Sequence, residues 1–288
     1  MAFEPTSAGD TSSDCTCRRQ NASQVDLLLP EGAFRADYLE AERVKKVIGV
    51  IPTRMAATRL PGKPLLLIAG KPMIQWVWER ASQARSLDAL YIATPDPEII
   101  QTAQAFGAEA LLTSYAHRSG TDRLAEVARL TDGQIYVNIQ GDEPLLQPEA
   151  IDRAVAPLLE DPTVMMSSLY TEAQPSEYDQ PSIVKVVLDQ QGYALYFSRS
   201  RIPYPRESTD LPVWKHIGLY VFRRELLLQF AEWTPTPLEC TESLEQLRVL
   251  EHGYRIRMVY FERAPIAVDT ETDFARVRAI LENLPNSL

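Results

Sequence analysis

The sequence predicts an α/β fold with a mostly parallel sheet, helices on both faces and an antiparallel arm. One observation predicts the parallel sheet, and a second predicts a globular core. Between residues 46 and 139, short apolar segments alternate with segments of helical periodicity, which is the pattern of βαβ units. The 288 residues are 45% hydrophobic and 24% charged, the composition of a globular protein with a sizeable core. Right-handed crossovers between parallel strands then place helices on both faces.

Four strands and three helices are predicted in the first half. The strands cover residues 47–51, 89–94, 110–113 and 135–139. The first helix begins at Pro72, because proline suits the first helical position and apolar residues follow at helical spacing. The other helices cover residues 97–106, where Gly107 ends the helix, and residues 121–130.

The second half predicts a different arrangement. Strands over residues 184–188 and 193–197 flank the sequence DQQG, which suits a hairpin turn. Further elements follow in the order strand 217–221, helix 238–250, strand 255–260 and helix 272–284. We expect the antiparallel strands to attach to the sheet and to form an arm used for dimerisation. All of this belongs to one domain over residues 45–288.

Residues 1–44 differ from that domain. The first 23 residues are rich in Ser, Thr and Asp and lack hydrophobic periodicity, so we expect a largely disordered extension. One short helix is compatible with residues 33–43. Cys15 and Cys17 lie in the extension without a further nearby ligand, so they predict two thiols and no metal site.

Charge and composition exclude several function classes. Lys and Arg total 29 against 39 Asp and Glu, a net charge of −10. An acidic chain is a poor general binder of nucleic acid or anionic membrane, since both are polyanions. No apolar run reaches the ~18 residues of a membrane span, and no secretory signal is visible. Three cysteines give no disulfide framework, so we expect a cytoplasmic protein.

A basic loop follows the first strand, where ligands bind in open parallel sheets. Its sequence PTRMAATRLPGKPL contains Arg54, Arg59 and Lys63 within ten residues, together with Thr58 and Gly62. Three cations in a loop stiffened by proline suit a polyphosphate, although a solvated basic loop remains the alternative. The loop lacks G-x-G-x-x-G and the Walker A pattern, which disfavours a nicotinamide dehydrogenase and a P-loop kinase.

Carboxylates predict a divalent metal ion opposite that loop. The fourth strand ends in QGDEP, which places Asp142 at its tip, and Asp269 follows the strand-like segment 266–268. Carboxylates facing a phosphate loop suit an ion that bridges protein and phosphates. The alternatives are an Asx turn at Asp142 and, favoured by spacing alone, a helix cap at Asp269.

Other polar residues have weaker patterns. Ser119 and Thr121 begin a helix, where anions and polar bases bind readily, or where Thr121 simply caps the helix. His216 opens a strand without a second His at metal-ligand spacing, which favours a structural role. Glu242 and Glu245 lie on one helix face, as solvated pairs do. No pattern indicates covalent catalysis.

Seven blocks then occur in a familiar order along residues 46–280. They are PTRMAATRLPGKPL, HRSGTDRLAEV, VNIQGDEP, KVVLDQQGYALYFSRSRIP, HIGLYVFRRELL, LEQLRVLEHG and VDTETD. In this order they resemble the 3-deoxy-manno-octulosonate cytidylyltransferases, also called CMP-Kdo synthetases. The resemblance implies a nucleotidyltransferase-type α/β fold, a homodimer, and magnesium-dependent conversion of CTP and Kdo to CMP-Kdo and pyrophosphate for lipopolysaccharide.

The resemblance also implies roles for individual residues. The CTP phosphates would be held by Arg54, Thr58, Arg59 and Lys63. Cytidine recognition and the lining of the same cleft would involve Ser119, Thr121, Arg123, Gln140 and Gly141. Asp142 and Asp269 would hold Mg²⁺. The sugar acid would face Arg199, His216 and Glu245, and catalysis would depend mainly on Lys63, Arg59 and Asp142.

Two alternatives remain at this point. One is a cytidylyltransferase for a related sugar acid, since such acids share the carboxylate that an arginine would bind. The other is a non-catalytic nucleotide-binding regulator, because a fold alone does not determine function.

Overall fold

The computed structural model describes residues 47–56, 60–207 and 211–283. The predicted extension over residues 1–44, its helix over residues 33–43 and its two cysteines lie outside the described residues.

A mixed sheet forms the centre of the described chain. Seven strands lie side by side in the order β11-β7-β10-β6-β1-β4-β5, and β8 and β9 extend the sheet from β10. The strands of the sheet are β1 (Val47–Pro52), β4 (Ala89–Thr94), β5 (Glu109–Leu112), β6 (Ile135–Asn138), β7 (Met166–Glu172), β8 (Lys185–Leu188), β9 (Ala194–Ser198), β10 (Trp214–Arg223) and β11 (Arg257–Tyr260). A small separate pair consists of β2 (Leu67–Ile68) and β3 (Lys71–Pro72).

The seven-strand path is parallel except at one strand. β1 pairs in parallel with β4 and β6, and β4 pairs in parallel with β5. β10 lies between β6 and β7 and runs antiparallel to both, while β11 is parallel to β7. The predicted, mostly parallel sheet is therefore confirmed.

Helices cover both faces of this sheet. They are α1 (Met73–Ala81), α2 (Pro97–Ala105), α3 (Gly120–Leu130), α4 (Pro148–Glu160), α5 (Arg224–Glu232), α6 (Pro237–Glu242), α7 (Gln246–Glu251) and α8 (Glu271–Glu282). Successive side chains of a strand point to opposite faces, so β1 contributes to two cores. Val47 and Ile51 pack in the cluster that contains apolar residues of α1, α2 and α4. Ile48 and Val50 pack in the cluster that contains residues of α3, α5 and α7.

The predicted hairpin in the second half is confirmed. β8 and β9 are antiparallel, and β8 also pairs antiparallel with β10. Asp189 accepts hydrogen bonds from the backbone N–H groups of Gln191 and Tyr193, and Gly192 adopts φ 80° in the turn. A side chain rarely adopts that conformation, so glycine suits this position. Dimerisation through this arm stays a prediction.

Two predicted elements are wrong in detail. The helix expected over residues 238–250 is divided into α6 and α7, because Ser243 adopts a left-handed conformation with φ 53°. A left-handed residue cannot continue a right-handed helix. The strand-like segment 266–268 is an irregular segment that precedes α8.

The helices α4 and α5 and the strand β7 were not predicted from the sequence. Pro157 lies inside α4, where it breaks the helical pattern in the sequence. β7 contains Ser167 and Ser168, two fully buried serines that interrupt its apolar pattern. Both hydroxyls are hydrogen-bonded, which allows polar side chains to occupy a central strand. In the part of the chain that the structure describes, no helix is long and apolar enough to span a membrane.

Candidate active site

A cleft of about 380 Å³ lies beyond the carboxyl ends of β1 and β6. This is the edge at which open α/β sheets bind ligands. Its walls come from four parts of the chain: the loop after β1, the start of α3, the loop after β6 and the segment before α8. The lining includes eight of the predicted residues, namely Arg54, Lys63, Ser119, Arg123, Gln140, Gly141, Asp142 and Asp269.

Lys63 lies at the centre of a charged cluster in this cleft. Its Nζ is 2.8 Å from Asp142 Oδ2 and 3.4 Å from Asp269 Oδ1. It also donates a hydrogen bond of 2.5 Å to the carbonyl of Val268. Only 14% of the Lys63 side chain is exposed, so these ionic contacts are shielded from water more than surface pairs are.

Backbone contacts bring the three members of this cluster together. Gly62 adopts φ 69° immediately before the short 3₁₀ turn Lys63–Leu65, and its N–H donates to the carbonyl of Met55 at 3.3 Å. That left-handed conformation suits glycine and directs the chain back towards the cleft. The backbone N–H of Val268 donates to the carbonyl of Asp142 at 2.9 Å, which ties the loop after β6 to the segment before α8.

Asp269 is not a helix cap. Thr270 is the N-cap of α8, and its hydroxyl accepts a hydrogen bond from the N–H of Asp273, whose carboxylate completes a capping box. The alternative that spacing favoured for Asp269 is therefore wrong. Its carboxylate contacts the ammonium group of Lys63, which also contacts Asp142.

The two carboxylates suit a divalent cation. Asp142 and Asp269 already share one positive charge, the ammonium group of Lys63. Oxygen ligands of this type are those that Mg²⁺ takes, usually with one or two carboxylates and substrate phosphates. Among the described residues, no cluster of three or more His, Cys, Asp and Glu side chains could hold a metal alone. An ion at Asp142 and Asp269 would therefore need ligands from water and phosphate.

The basic loop is described in part. Arg54 is exposed at the cleft, and the adjacent N–H of Met55 donates to Asp96 Oδ2 at 2.8 Å, which anchors the loop. Thr58 and Arg59 lie outside the described residues, so their phosphate contacts stay predictions.

The three residues predicted for cytidine, Ser119, Thr121 and Arg123, have different surroundings at the start of α3. Ser119 is the N-cap of α3, where its hydroxyl accepts from the N–H of Asp122, so the interpretation of Thr121 as the cap is wrong. Arg123 lines the cleft and donates to the hydroxyl of Thr113 and, at 3.1 Å, to the carbonyl of Ser114. Thr121 is fully buried, away from the cleft wall.

Thr121 instead joins a buried polar network. Its hydroxyl donates to Glu245 Oε1 at 2.7 Å and accepts from Asn138 Nδ2 at 3.0 Å. Burial raises the pKa of Glu245, and the hydrogen bond from Thr121 opposes that rise. The structure therefore places Thr121, predicted for cytidine, beside Glu245, predicted for the sugar.

Gln140 and Gly141 tie the loop after β6 to neighbouring strands. Gln140 Nε2 donates to the carbonyl of Gly218 in β10 at 2.7 Å. A Cβ on Gly141 would lie 3.0 Å from the carbonyl oxygen of Pro52, a contact that would force backbone to move. Glycine therefore permits the close approach of the loops after β6 and β1.

His216 and Arg199 lie on the second-half strands. The His216 ring lies between Phe197 and Tyr220, with centroid distances of 5.0 and 5.4 Å, and burial lowers its pKa to about 3. The Arg199 guanidinium donates to the carbonyls of Glu242, Pro181 and Ser243 at 2.7, 2.9 and 3.2 Å. These contacts hold Arg199 against the chain, and its role toward a sugar stays a prediction.

The sequence analysis missed four polar residues near this site. Asn138 ends the otherwise apolar strand β6 with an amide side chain, and that interruption was its signal. Gln246 Oε1 accepts from the buried hydroxyl of Tyr220 at 3.1 Å. Burial raises the pKa of Glu143 to about 8, so its carboxyl group is largely protonated at neutral pH. Nothing in the sequence pattern distinguishes Gln246, Tyr220 or Glu143 from ordinary core neighbours.

Comparison with known proteins decides the family. A family model described as Cytidylyltransferase matches residues 48–256. The 3-deoxy-manno-octulosonate cytidylyltransferase of Syntrophotalea carbinolica is 48% identical over 248 residues, which cover 83% of this chain and 99% of the relative. The chain belongs to the 3-deoxy-manno-octulosonate cytidylyltransferase family. The family member of Synechococcus elongatus is 49% identical over 237 residues, with 81% of this chain and 97% of the relative covered.

Solved structures agree with this membership. CMP:2-keto-3-deoxy-manno-octonic acid synthetase, in complex with CTP, superposes with a TM-score of 0.80 at 42% identity, over 82% of this chain and 98% of that chain. The 4-diphosphocytidyl-2C-methyl-D-erythritol synthase of Anaerococcus prevotii superposes with a TM-score of 0.56 at 12% identity, which shows the fold alone, over 83% of this chain and 97% of that chain. The predicted family and the nucleotidyltransferase-type fold are confirmed, and the family assignment makes this protein an enzyme.

Proposed function

We propose that this 3-deoxy-manno-octulosonate cytidylyltransferase transfers CMP from CTP to the anomeric hydroxyl of Kdo. The products are CMP-Kdo, an activated sugar for lipopolysaccharide biosynthesis, and pyrophosphate. The observation that carries the proposal is the cluster of Lys63, Asp142 and Asp269 in the cleft. In a member of this family, a cation and two carboxylates at the strand ends suit a triphosphate and its metal ion.

The chemistry is an in-line displacement at phosphorus. The anomeric oxygen of Kdo forms a bond to the α-phosphorus of CTP and loses its proton to water. The bond from that phosphorus to the oxygen that bridges the α- and β-phosphorus atoms breaks, and this oxygen leaves with the electron pair as part of pyrophosphate. Negative charge grows on the phosphate oxygens, where Lys63 and Arg54 from this cleft stabilise it, and by family motif Thr58 and Arg59 contribute. No protein nucleophile is needed.

Mg²⁺ is the cofactor that these residues fit. Asp142 and Asp269 would hold it. When bound, such an ion neutralises phosphate charge and lowers the pKa of a coordinated hydroxyl. The same two carboxylates contact Lys63 in this structure, so the triphosphate offers the ammonium group an alternative partner.

The remaining predicted residues divide between base and sugar. Ser119, Arg123, Gln140 and Gly141 line the cleft and are proposed to recognise cytidine. Thr121 is proposed to support Glu245 through its 2.7 Å hydrogen bond. The proposed sugar contacts are those of Arg199, His216 and Glu245.

The proposal extends to assembly and location. A homodimer through the β8–β9 arm is supported by Leu195 of β9, an apolar side chain that is 61% exposed. Light scattering on the full chain tests the dimer, and a monomer mass would contradict it. We place the enzyme in the cytoplasm because its proposed nucleotide substrate is CTP.

Pyrophosphate release tests the proposed function. The full chain is assayed with and without Mg²⁺ against a panel of sugar acids and all four nucleoside triphosphates. Mg²⁺-dependent release with CTP and Kdo is expected. Preferred turnover of another sugar acid would support the related-substrate alternative, and nucleotide binding without release would support the regulator.

A further inference from the structure

A fully buried serine hydroxyl contacts the ring of His216. Ser168 in β7 has no exposed surface, and its Oγ is 2.8 Å from His216 Nε2. The same oxygen lies 2.8 Å from the carbonyl oxygen of Leu219 and 3.2 Å from that of Ile217. Both carbonyls belong to β10, the strand that carries His216.

A bulge in β10 creates this arrangement. The pairing with β7 passes from Ile217 opposite Leu169 to Tyr220 opposite Ser168, so two residues of β10 have no partner in β7. Bulges of this kind redirect backbone groups and occur beside active sites. Here the carbonyl of Gly218 accepts from Gln140, a residue of the cleft, at 2.7 Å. A Cβ on Gly218 would meet no atom within 4 Å, so the bulge borders open space.

Counting hydrogens fixes the direction of these bonds. A serine hydroxyl has one hydrogen, and carbonyl oxygens only accept. If Ser168 donated to His216, its oxygen would face the Leu219 carbonyl at 2.8 Å with no hydrogen between them. If Ser168 donates to Leu219 and His216 Nε2–H donates to Ser168, both 2.8 Å contacts have a hydrogen, and only the longer 3.2 Å contact with the Ile217 carbonyl lacks one of its own. The network therefore selects the Nε2–H form of the imidazole.

The other ring nitrogen of His216 is then an acceptor. Burial lowers the pKa of His216 to about 3, so the ring is neutral at pH 7. Among the described residues, the hydrogen bonds of the His216 side chain are confined to Nε2. Phe197 and Tyr220 contact the ring through their aromatic faces and edges. Nδ1 therefore has a lone pair that can accept a hydrogen bond from a hydroxyl group. The neutral ring has no positive charge with which to attract a carboxylate.

We propose that Ser168 is a positioning residue that holds His216 as the Nε2–H tautomer, so that Nδ1 accepts a hydrogen bond from a hydroxyl of the sugar substrate. The inference rests on the proposed function for the identity of the substrate. It gives His216 a specific task, which is to recognise a sugar hydroxyl and not the carboxylate.

The tautomer is measured by ¹⁵N NMR of the full chain without substrate. The chain has three histidines, so the His216 signals are assigned by their loss in H216A. In the unmodified protein at pH 7, we expect hydrogen on Nε2 and a lone pair on Nδ1. A hydrogen on Nδ1, or a doubly protonated ring, would overturn the inference without any variant of Ser168.

Ser168→Ala removes the acceptor, and Ser167→Ala is its matched control. Ser167 is the neighbouring residue, equally buried, but its hydroxyl donates to the carbonyl of Ala154 in α4. S168A should shift His216 to mixed tautomers, whereas S167A should leave the spectrum unchanged. An unchanged His216 spectrum in folded S168A would overturn the inference.

Kinetics test the consequence for the substrate. S168A should raise KM for Kdo by about 3- to 10-fold, the range of one net hydrogen bond, with KM for CTP unchanged. In the H216A background the same substitution should add little, because Ser168 acts through His216. Equal effects of S168A with and without His216 would overturn the positioning role. If the tautomer is as expected but the protein turns over no sugar acid, the proposed function is wrong and the tautomer assignment still holds.

Discussion

The charged cleft and the buried polar network differ in charge and in exposure to solvent. In the cleft, the carboxylates of Asp142 and Asp269 are partly exposed at 29% and 47%, and Lys63 lies largely covered between them. Around Thr121 and Ser168, hydroxyl, amide and imidazole groups are hydrogen-bonded to protein partners in the core. Full ionic charges would be costly there unless paired. On the proposed function, we expect the triphosphate in the charged cleft and the sugar beside the buried polar groups.

The largest effect is expected at the two carboxylates. Asp142→Asn and Asp269→Asn each remove a charge that a hard divalent ion needs, so each should lower Mg²⁺-dependent turnover by about 1000-fold or more. The double variant should be little worse than either single, because groups that act as a unit are not additive. Steady-state kinetics across a Mg²⁺ titration measure this.

Asp273→Asn is the matched control for these variants. Asp273 lies four residues from Asp269 but serves the capping box of α8, so D273N should cost a little thermal stability and leave turnover intact. Near-normal turnover of D269N at low Mg²⁺ would show that Asp269 does not bind the metal ion and that the charged groups of the cleft do not act as one unit.

The next largest effect is expected at Lys63. Lys63→Ala removes one preorganised cation, which should lower kcat by about 100- to 1000-fold at saturating CTP with an unchanged melting temperature. Lys71→Ala is the control, since Lys71 forms an ion pair with Glu79 at 2.7 Å outside the cleft. Turnover of K63A within threefold of the parent would make Lys63 a structural partner of the carboxylates.

A smaller effect is expected when Thr121 in the buried polar network is replaced. Thr121→Val keeps the shape of the side chain but deprives Glu245 of its donor and Asn138 of its acceptor. Unsatisfied buried polar groups should cost about 1–3 kcal/mol in the free energy of unfolding, measured in urea. Thr102→Val, at a partly exposed position of α2 where the hydroxyl donates to the carbonyl of Glu98, should cost far less. Equal losses in the two variants would show that the network is not tightly coupled.

The smallest effect is expected from truncation. Removing residues 1–32 should leave melting temperature and turnover nearly unchanged, because the composition of that segment gives it little apolar surface to bury. A drop of several degrees in thermal melts, or a loss of activity, would show that the segment contributes to the folded enzyme.

The two regions also differ in how far the sequence predicts them. Asp142 directly follows an apolar strand and Lys63 lies in the loop after another, so the rule for parallel sheets predicts that both lie at one edge. Thr121 and Glu245 are 124 residues apart, and their contact depends on how α3 packs beside the start of α7. Ser243 breaks the expected helix there through its left-handed backbone, at a residue with no glycine or proline to signal it.

Buried polar residues were the hardest to predict for a physical reason. The buried hydroxyl of Ser168 is satisfied in its strand by a carbonyl from the bulge of β10 and by Nε2 of His216. Those partners come from a strand 48 residues away, and the bulge has no local sequence pattern. Periodicity reports which residues are apolar, but it does not report which polar residues find partners in the core.

A crystal structure of this protein with CTP and Mg²⁺ tests the central claim most directly. The distances to measure are those from Lys63 Nζ to the triphosphate oxygens and to the carboxylates of Asp142 and Asp269. We expect the ammonium group about 3 Å from a phosphate oxygen, with the two carboxylates holding the ion. A triphosphate outside the cleft, or a Lys63 that still bridges both carboxylates with CTP bound, would contradict it.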